Sequence, residues 1–206
     1  MWKLLCRTLA LAALLVAATA ATPARAADDA SAFIQGLGDQ AIKILQDKSM
    51  GLKEREAQFS KLFTDGFDVP EIGRFVLGRY WNVASPAQQQ DYLKAFGTYV
   101  VDVYAVRFSQ YSGEKFTVSA SQPTPDGASV PSQIIRPNGG PPINITWKIA
   151  KAGSSYKIRD VVAENLSMTV TQRAEFASVV ERGGGGAAGV DALINTLKQK
   201  IAANGG

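Results

Sequence analysis

Ile143-Asn144-Ile145-Thr146-Trp147-Lys148-Ile149 alternates apolar and polar side chains without a break. Successive side chains of a strand point to opposite faces, so this stretch predicts a β-strand with one buried and one wetted face. The same period of two appears upstream, where Phe116, Val118 and Ala120 alternate with Lys115, Thr117 and Ser119. Residues 123–127 then predict a turn, and a second strand continues to Arg136. Pro131 inside it requires an edge position or a bulge, because proline has no N–H for the ladder. Pro137-Asn138-Gly139-Gly140 turns the chain into the 143–149 strand, residues 151–154 turn it back, and Tyr156, Ile158 and Val162 mark a fourth strand. Connections this short make residues 114–163 an antiparallel meander.

On both sides of the sheet the apolar period lengthens to that of a helix. Phe33, Ile34, Leu37, Ala41, Ile44 and Leu45 form one stripe over 30–48, and Phe59, Leu62 and Phe63 form another that Gly66 closes. Asp68 with Glu71 three residues on reads as a capping box for a short helix carrying Ile72, Phe75, Val76 and Arg79. Ser85-Pro86-Ala87-Gln88 is a second box, with proline at the first helical position, and it opens a long helix to about Tyr111. The apolar surface of that helix is broad enough to pack on two sides. After the sheet, Met168, Val170, Ala174, Ala177 and Val180 predict a helix, residues 183–186 a flexible glycine linker, and Val190, Leu193, Ile194, Leu197 and Ile201 a last amphipathic helix. The expected fold is α+β, with helical residues 30–112, a four-stranded sheet at 114–163 and C-terminal helices at 167–203 covering one face of that sheet.

The first 26 residues read as an export signal. Lys3 and Arg7 precede an apolar run from Leu9 to Ala21 that ends at Ala24-Arg25-Ala26, a small-x-small cleavage site, and acidic Asp28 and Asp29 follow. Cleavage after Ala26 is expected, leaving a single exported domain at 27–206. The formal charge of +4 becomes +1 once Lys3, Arg7 and Arg25 are subtracted, so the domain lacks the basic footprint of a nucleic-acid binder.

The lone cysteine, Cys6, leaves with the leader, and the chain has no histidine. Serine or cysteine catalysis through histidine, zinc sites and haem ligation by histidine or cysteine are thereby excluded. Carboxylate chemistry stays open. Asp65, Asp68 and Glu71 form one acidic group, read as helix capping, and Asp160 with Glu164 form another that an exported hydrolase or isomerase would use. Arg74, Arg79, Arg107, Arg136 and Arg173 are available for forked hydrogen bonds to phosphate or carboxylate. Aromatic residues such as Phe96, Phe116 and Trp147 either fill a core or line a deep apolar cavity.

Four segments together resemble the toluene-tolerance family of periplasmic phospholipid-binding proteins, the MlaC family. They are Arg74-Phe75-Val76-Leu77-Gly78-Arg79-Tyr80-Trp81, Ser85-Pro86-Ala87-Gln88-Gln89, Arg136-Pro137-Asn138-Gly139-Gly140-Pro141-Pro142, and Asn165-Leu166-Ser167-Met168-Thr169-Val170-Thr171-Gln172-Arg173. The resemblance runs from about Phe33 to Leu197. Asn165 stands where similar proteins usually have glycine, and the glycine stretch at 183–189 is longer than usual.

The resemblance implies a monomeric carrier, not an enzyme, with no cofactor beyond its phospholipid cargo. Its implied partners are an outer-membrane lipoprotein-porin complex and an inner-membrane ABC transporter with its MCE-domain subunit, between which it maintains lipid asymmetry. On that basis the acyl cavity is expected between sheet and helices, lined by Phe75, Val76, Phe96, Val100, Val103 and Tyr104 on the helices and by Ile145, Trp147, Ile158 and Met168 opposite. Arg79, Arg107 and Arg136 are the expected headgroup or partner contacts. A hopanoid or other isoprenoid carrier, and a lipid-free adaptor between membrane complexes, are the competing readings.

Overall fold

The computed structural model describes residues 23–108 and 111–204. The described elements run α1 (Pro23–Gln46), α2 (Leu52–Gly66), α3 (Val69–Leu77), a 3-10 turn (Gly78–Asn82), α4 (Pro86–Phe108), β1 (Lys115–Val118), β2 (Gln122–Thr124), β3 (Gly127–Ile135), β4 (Ile143–Ala152), β5 (Ser155–Ala163), β6 (Leu166–Ser167), α5 (Met168–Arg182) and α6 (Gly186–Asn204). Residues 1–22, most of the expected export signal at 1–26, lie outside the described residues, and the expected cleavage point after Ala26 falls in the first turn of α1. No helix among the described residues is long and apolar enough to cross a membrane.

The α+β class and the antiparallel meander hold, with two strands more than expected. The pairings between these strands are antiparallel, in the order β1-β3-β4-β5-β6, with β2 beside β3 on the same edge as β1, and Phe67 adds an isolated parallel bridge to Ile158. The expected turn at 123–127 is a tighter hairpin, with Thr124 facing Gly127 across Pro125 and Asp126. Pro131 lies in the bulge that its missing N–H demands. β1 stops at Val118 opposite Ser132 and β2 resumes at Gln122 opposite Ser129, so residues 119–121 span only Val130 and Pro131. The Pro131 carbonyl still accepts from the Ser119 N–H at 2.9 Å. A second irregularity, between Lys148 and Ile149, leaves Arg159 unpaired in β5. At the β5–β6 turn, Asn165 has φ +67°, the left-handed geometry that asparagine tolerates best after glycine.

The helices confirm one capping box and overturn the other. Ser85 N–H donates to Gln88 Oε1 at 3.0 Å while Gln88 N–H donates to Ser85 Oγ at 3.2 Å, the full reciprocal pair. Asp68 sits at the N-cap of α3 without a side-chain cap bond, and its carboxylate lies 3.4 Å from Arg159 instead. A bulged arginine from the neighbouring strand has captured the cap residue.

The linker at 183–186 is a tight helical hairpin rather than a flexible tether. Gly184 and Gly185 N–H groups donate to Glu181 and Val180 carbonyls, and a Cβ on Gly189 would stand 2.2 Å from the Val180 carbonyl oxygen. In α5 the buried positions are Thr169, Phe176 and Val180, whereas Val170, expected inside, is 56% exposed. A stripe read from alanines placed the helix rotation one position off.

Packing divides into two cores. Tyr92, Phe96, Phe176, Val180, Leu193 and Leu197 anchor a helical cluster of α3, α4, α5 and α6, with Tyr92 and Phe96 stacked and Phe176 edge-on to both. Ala30 and Ile34 of α1 anchor the other against Ala128, Val130, Ile149 and Ile158 of the sheet. Phe67, between α2 and α3, packs against both, and the Asp68 N–H donates to the Ile158 carbonyl at 2.9 Å. Lys157 reinforces this joint by donating to the last carbonyls of α2, Thr64 and Asp65.

Candidate functional site

Register, rather than burial, defines the inner face of the sheet. Residues opposite each other in an antiparallel pair project to the same side. Val130 faces Trp147 and Trp147 faces Val161, while Ser132 faces Ile145 and Ile145 faces Ala163. Phe116 pairs with Ile134, which pairs with Ile143, so one continuous apolar face runs across β1, β3, β4 and β5. Its two ends differ. Ala128, Val130, Ile149 and Ile158 are buried beneath α1, whereas Ile134, Ile143, Ile145, Trp147, Val161 and Ala163 are only half-buried. The second group is the open end.

Trp147 sits at the boundary between them. Its indole N–H donates to Ser132 Oγ at 2.8 Å, and its ring meets Phe116 and Phe67 edge-on at 6.2 and 6.5 Å. Ser132 is 3% exposed and satisfies the one polar atom that the aromatic brings into the face. Two open clefts lie among the helices, and neither is lined by the residues of the open sheet end. One, of about 540 Å³, lies between α1 and α2 against Phe33, Leu37, Ile44 and Leu62, with Lys61 and Asp65 at its rim. The other, of about 470 Å³, lies where α2, α3 and α4 meet, against Phe67, Val69 and Leu93 with Lys94 and Lys157 beside it.

The residues expected to line one cavity are dispersed. Val76 and Phe96, at 1% and 2% exposure, belong to the helical core, and Val100 packs against it. Ile145 and Trp147 lie at the open end of the sheet face and Ile158 at its closed end; Met168 is half-buried at the start of α5, and Val103 is half-buried on α4. Phe75 is 42% exposed, with the Arg173 guanidinium 5.1 Å from its ring centre. Tyr104 and Arg107 fall on the end of α4, where side chains lie outside the described residues.

Of the expected cationic contacts, Arg79 donates to Tyr80 Oη and pairs with Glu181 at 2.7 Å, tying the 3-10 turn to α5. Arg136 is exposed in the β3–β4 connection, at the open end of the sheet face. Sequence reasoning missed Ser132 and Phe67. Only strand register, which places Ser132 beside Trp147, identifies the first, and only the α2–α3 junction identifies the second.

The carboxylates that an acid–base enzyme would need are engaged structurally. Asp160 accepts from the N–H groups of Val161 and Thr169 and from Ser167 Oγ, closing the turn into α5, and Glu164 accepts from the Asn144 N–H at 2.6 Å. Among the described residues no group of three or more acidic, cysteine or histidine side chains is arranged to hold a metal ion.

Comparison with known proteins agrees with this architecture. A curated relative from Haemophilus influenzae, the intermembrane phospholipid transport system binding protein MlaC, is 27% identical over 131 residues, spanning 62% of this chain and 59% of its own length. The match therefore spans less than two thirds of that relative. The phospholipid-binding protein from Ralstonia solanacearum, solved in complex with a phospholipid, superposes with a TM-score of 0.75 at 20% identity, covering 86% of this chain and 99% of that one. That likeness establishes the fold. The MlaC protein family model matches residues 35–199, most of the chain, and the chain belongs to the MlaC family.

Proposed function

We propose that this protein is a periplasmic phospholipid carrier that holds the acyl chains of one lipid against the open end of its sheet face. The observation that supports this most is the apolar surface around Ile145, Trp147, Val161 and Ala163, left half-exposed in a fold shared with a protein solved with phospholipid bound. The physical need is large. A two-tailed phospholipid hides roughly 30 methylenes, and at about 0.8 kcal/mol each their exposure to water costs on the order of 20 kcal/mol or more. Covering them lowers the barrier to crossing an aqueous compartment, and a surface of this kind selects hydrocarbon tails. Delivery runs between the outer-membrane lipoprotein-porin complex and the inner-membrane ABC transporter with its MCE-domain subunit, the protein acting as a monomer on both legs.

The proposal needs no chemistry on the cargo. Asp160 accepts the hydrogen bonds that close the turn into α5, and one oxygen of Glu164 accepts from the Asn144 N–H, so both have structural work and the carrier reading assigns neither a catalytic step. Native mass spectrometry of protein isolated gently from the periplasm, followed by lipid extraction, tests the reading. One phospholipid per chain is expected, and a cargo-free or isoprenoid-loaded protein contradicts it.

A further inference from the structure

We propose that Arg173 is the receptor for the phosphodiester of the bound lipid, placed at the rim of the open sheet face. This inference rests on the carrier reading above and adds a headgroup contact to it. Three observations converge on the residue.

The first is that its guanidinium is positioned on the surface by its neighbours. It lies over the ring of Phe75 at 5.1 Å, and it crosses Gly78 so closely that a Cβ there would stand 2.8 Å from Nε. Gly78 also has φ +60°, a conformation that side chains with a Cβ rarely adopt, so both its geometry and its lack of a side chain serve this contact. The second is that among the described residues Arg173 forms no ion pair, whereas Arg79 on the same surface is committed to Glu181. A planar fork held over an aromatic ring and short of an anion is suited to bidentate phosphate recognition.

The third is an apolar path from this fork to the sheet. Leu166 pairs with Ala163, which pairs with Ile145, so the Leu166 side chain lies on the apolar face at its very edge. Leu166 is 64% exposed and Val170, on the first turn of α5, is 56% exposed. Arg173 follows Val170 by three residues on the same side of the helix. Acyl chains seated on Ile145 and Ala163 and leaving over Leu166 and Val170 bring a glycerol phosphate to Arg173. The exposure of Phe75 fits the same picture, since the ring serves as the platform for the cation.

The test is competitive loading. Protein is incubated with vesicles containing equal amounts of dioleoylphosphatidylglycerol and dioleoylglycerol, re-isolated, and its lipid quantified. The wild type is expected to take the phospholipid about tenfold over the diacylglycerol, as a charge-assisted hydrogen bond warrants. R173Q is expected to bring that ratio to about one by losing phospholipid, and Arg173→Lys, which keeps charge but not the fork, to lie between. Phe75→Leu, which removes the platform and keeps the apolar contact, should also lower the ratio.

An unchanged ratio in R173Q overturns the inference while leaving the carrier reading intact, as does equal uptake of both lipids by the wild type. Uptake of neither lipid overturns both. Millimolar inorganic phosphate should leave the wild-type ratio unchanged, and its collapse would assign the guanidinium to free phosphate and overturn the lipid role.

Discussion

Ser132 and Trp147 show how a single hydroxyl sustains an apolar surface. Removing the hydroxyl leaves the buried side of the indole N–H without an acceptor, which costs about 1–3 kcal/mol. Ser132→Ala is therefore expected to lower stability by about that much in a denaturant melt, and adding Trp147→Phe should recover part of the loss, since the unpaired donor goes with it. Asp102 supplies a pH-dependent case. Burial holds its carboxyl above the ordinary value of 3.8, with the nearby charge of Glu56 adding to the effect. An acid raised in the fold binds its proton more readily there than in the unfolded chain, so its charged form lowers stability at neutral pH. That penalty vanishes once pH falls below the ordinary carboxylate value, where the group is neutral in both states. Asp102→Asn should then raise Tm at pH 7 and leave it unchanged near pH 3, which thermal melts at the two pH values check. At this scale alternation alone made Trp147 legible as inward-facing. Its partner Ser132 was not, because a serine in a strand takes its meaning from the residue across the ladder.

At the scale of elements, local signals succeeded where the partner lies within one turn and failed where it lies on another element. Ser85 and Gln88 sit three residues apart and satisfy each other, so their motif sufficed. Asp68 and Glu71 have the same spacing, but Arg159 arrives from β5 and takes the aspartate, an outcome fixed by tertiary packing. The glycine stretch around the α5–α6 turn was misread for the same reason: a Cβ on Gly183 would meet Ala192 and one on Gly189 the Val180 carbonyl, approaches visible only once the two helices are side by side. α1 rests on the sheet through another such approach. A Cβ on Gly38 would meet the Phe116 ring, and Ser31 Oγ donates to the Ser119 carbonyl at 3.1 Å. Gly38→Val should lift α1 and destabilise the protein by about 1–3 kcal/mol. Hydrogen exchange checks this, with faster exchange expected in α1 and little change in α6, which belongs to the other core.

For the whole molecule, the α+β class, the meander and the family were legible because period and segment order carry them. The division into two cores was not, because helical stripes give a buried face without naming what it is buried against. Val76, Phe96 and Ile158 were expected together around one acyl cavity, and the first two pack among helices while the third lies under α1. The open end of the sheet is what remains when both cores are filled, and it is the surface that the carrier proposal requires. Ala163→Trp, which places a large ring there, should lower bound lipid several-fold while leaving Tm within a few degrees of the wild type. The most direct test loads the protein with a phospholipid carrying a photoreactive diazirine near the end of one acyl chain, irradiates it, and maps the adducts by mass spectrometry. Labelling should concentrate on peptides containing Ile143 to Trp147 and Val161 to Ala163. Labelling confined to the α3, α4 and α6 peptides of the helical core, or absent altogether, would contradict the account.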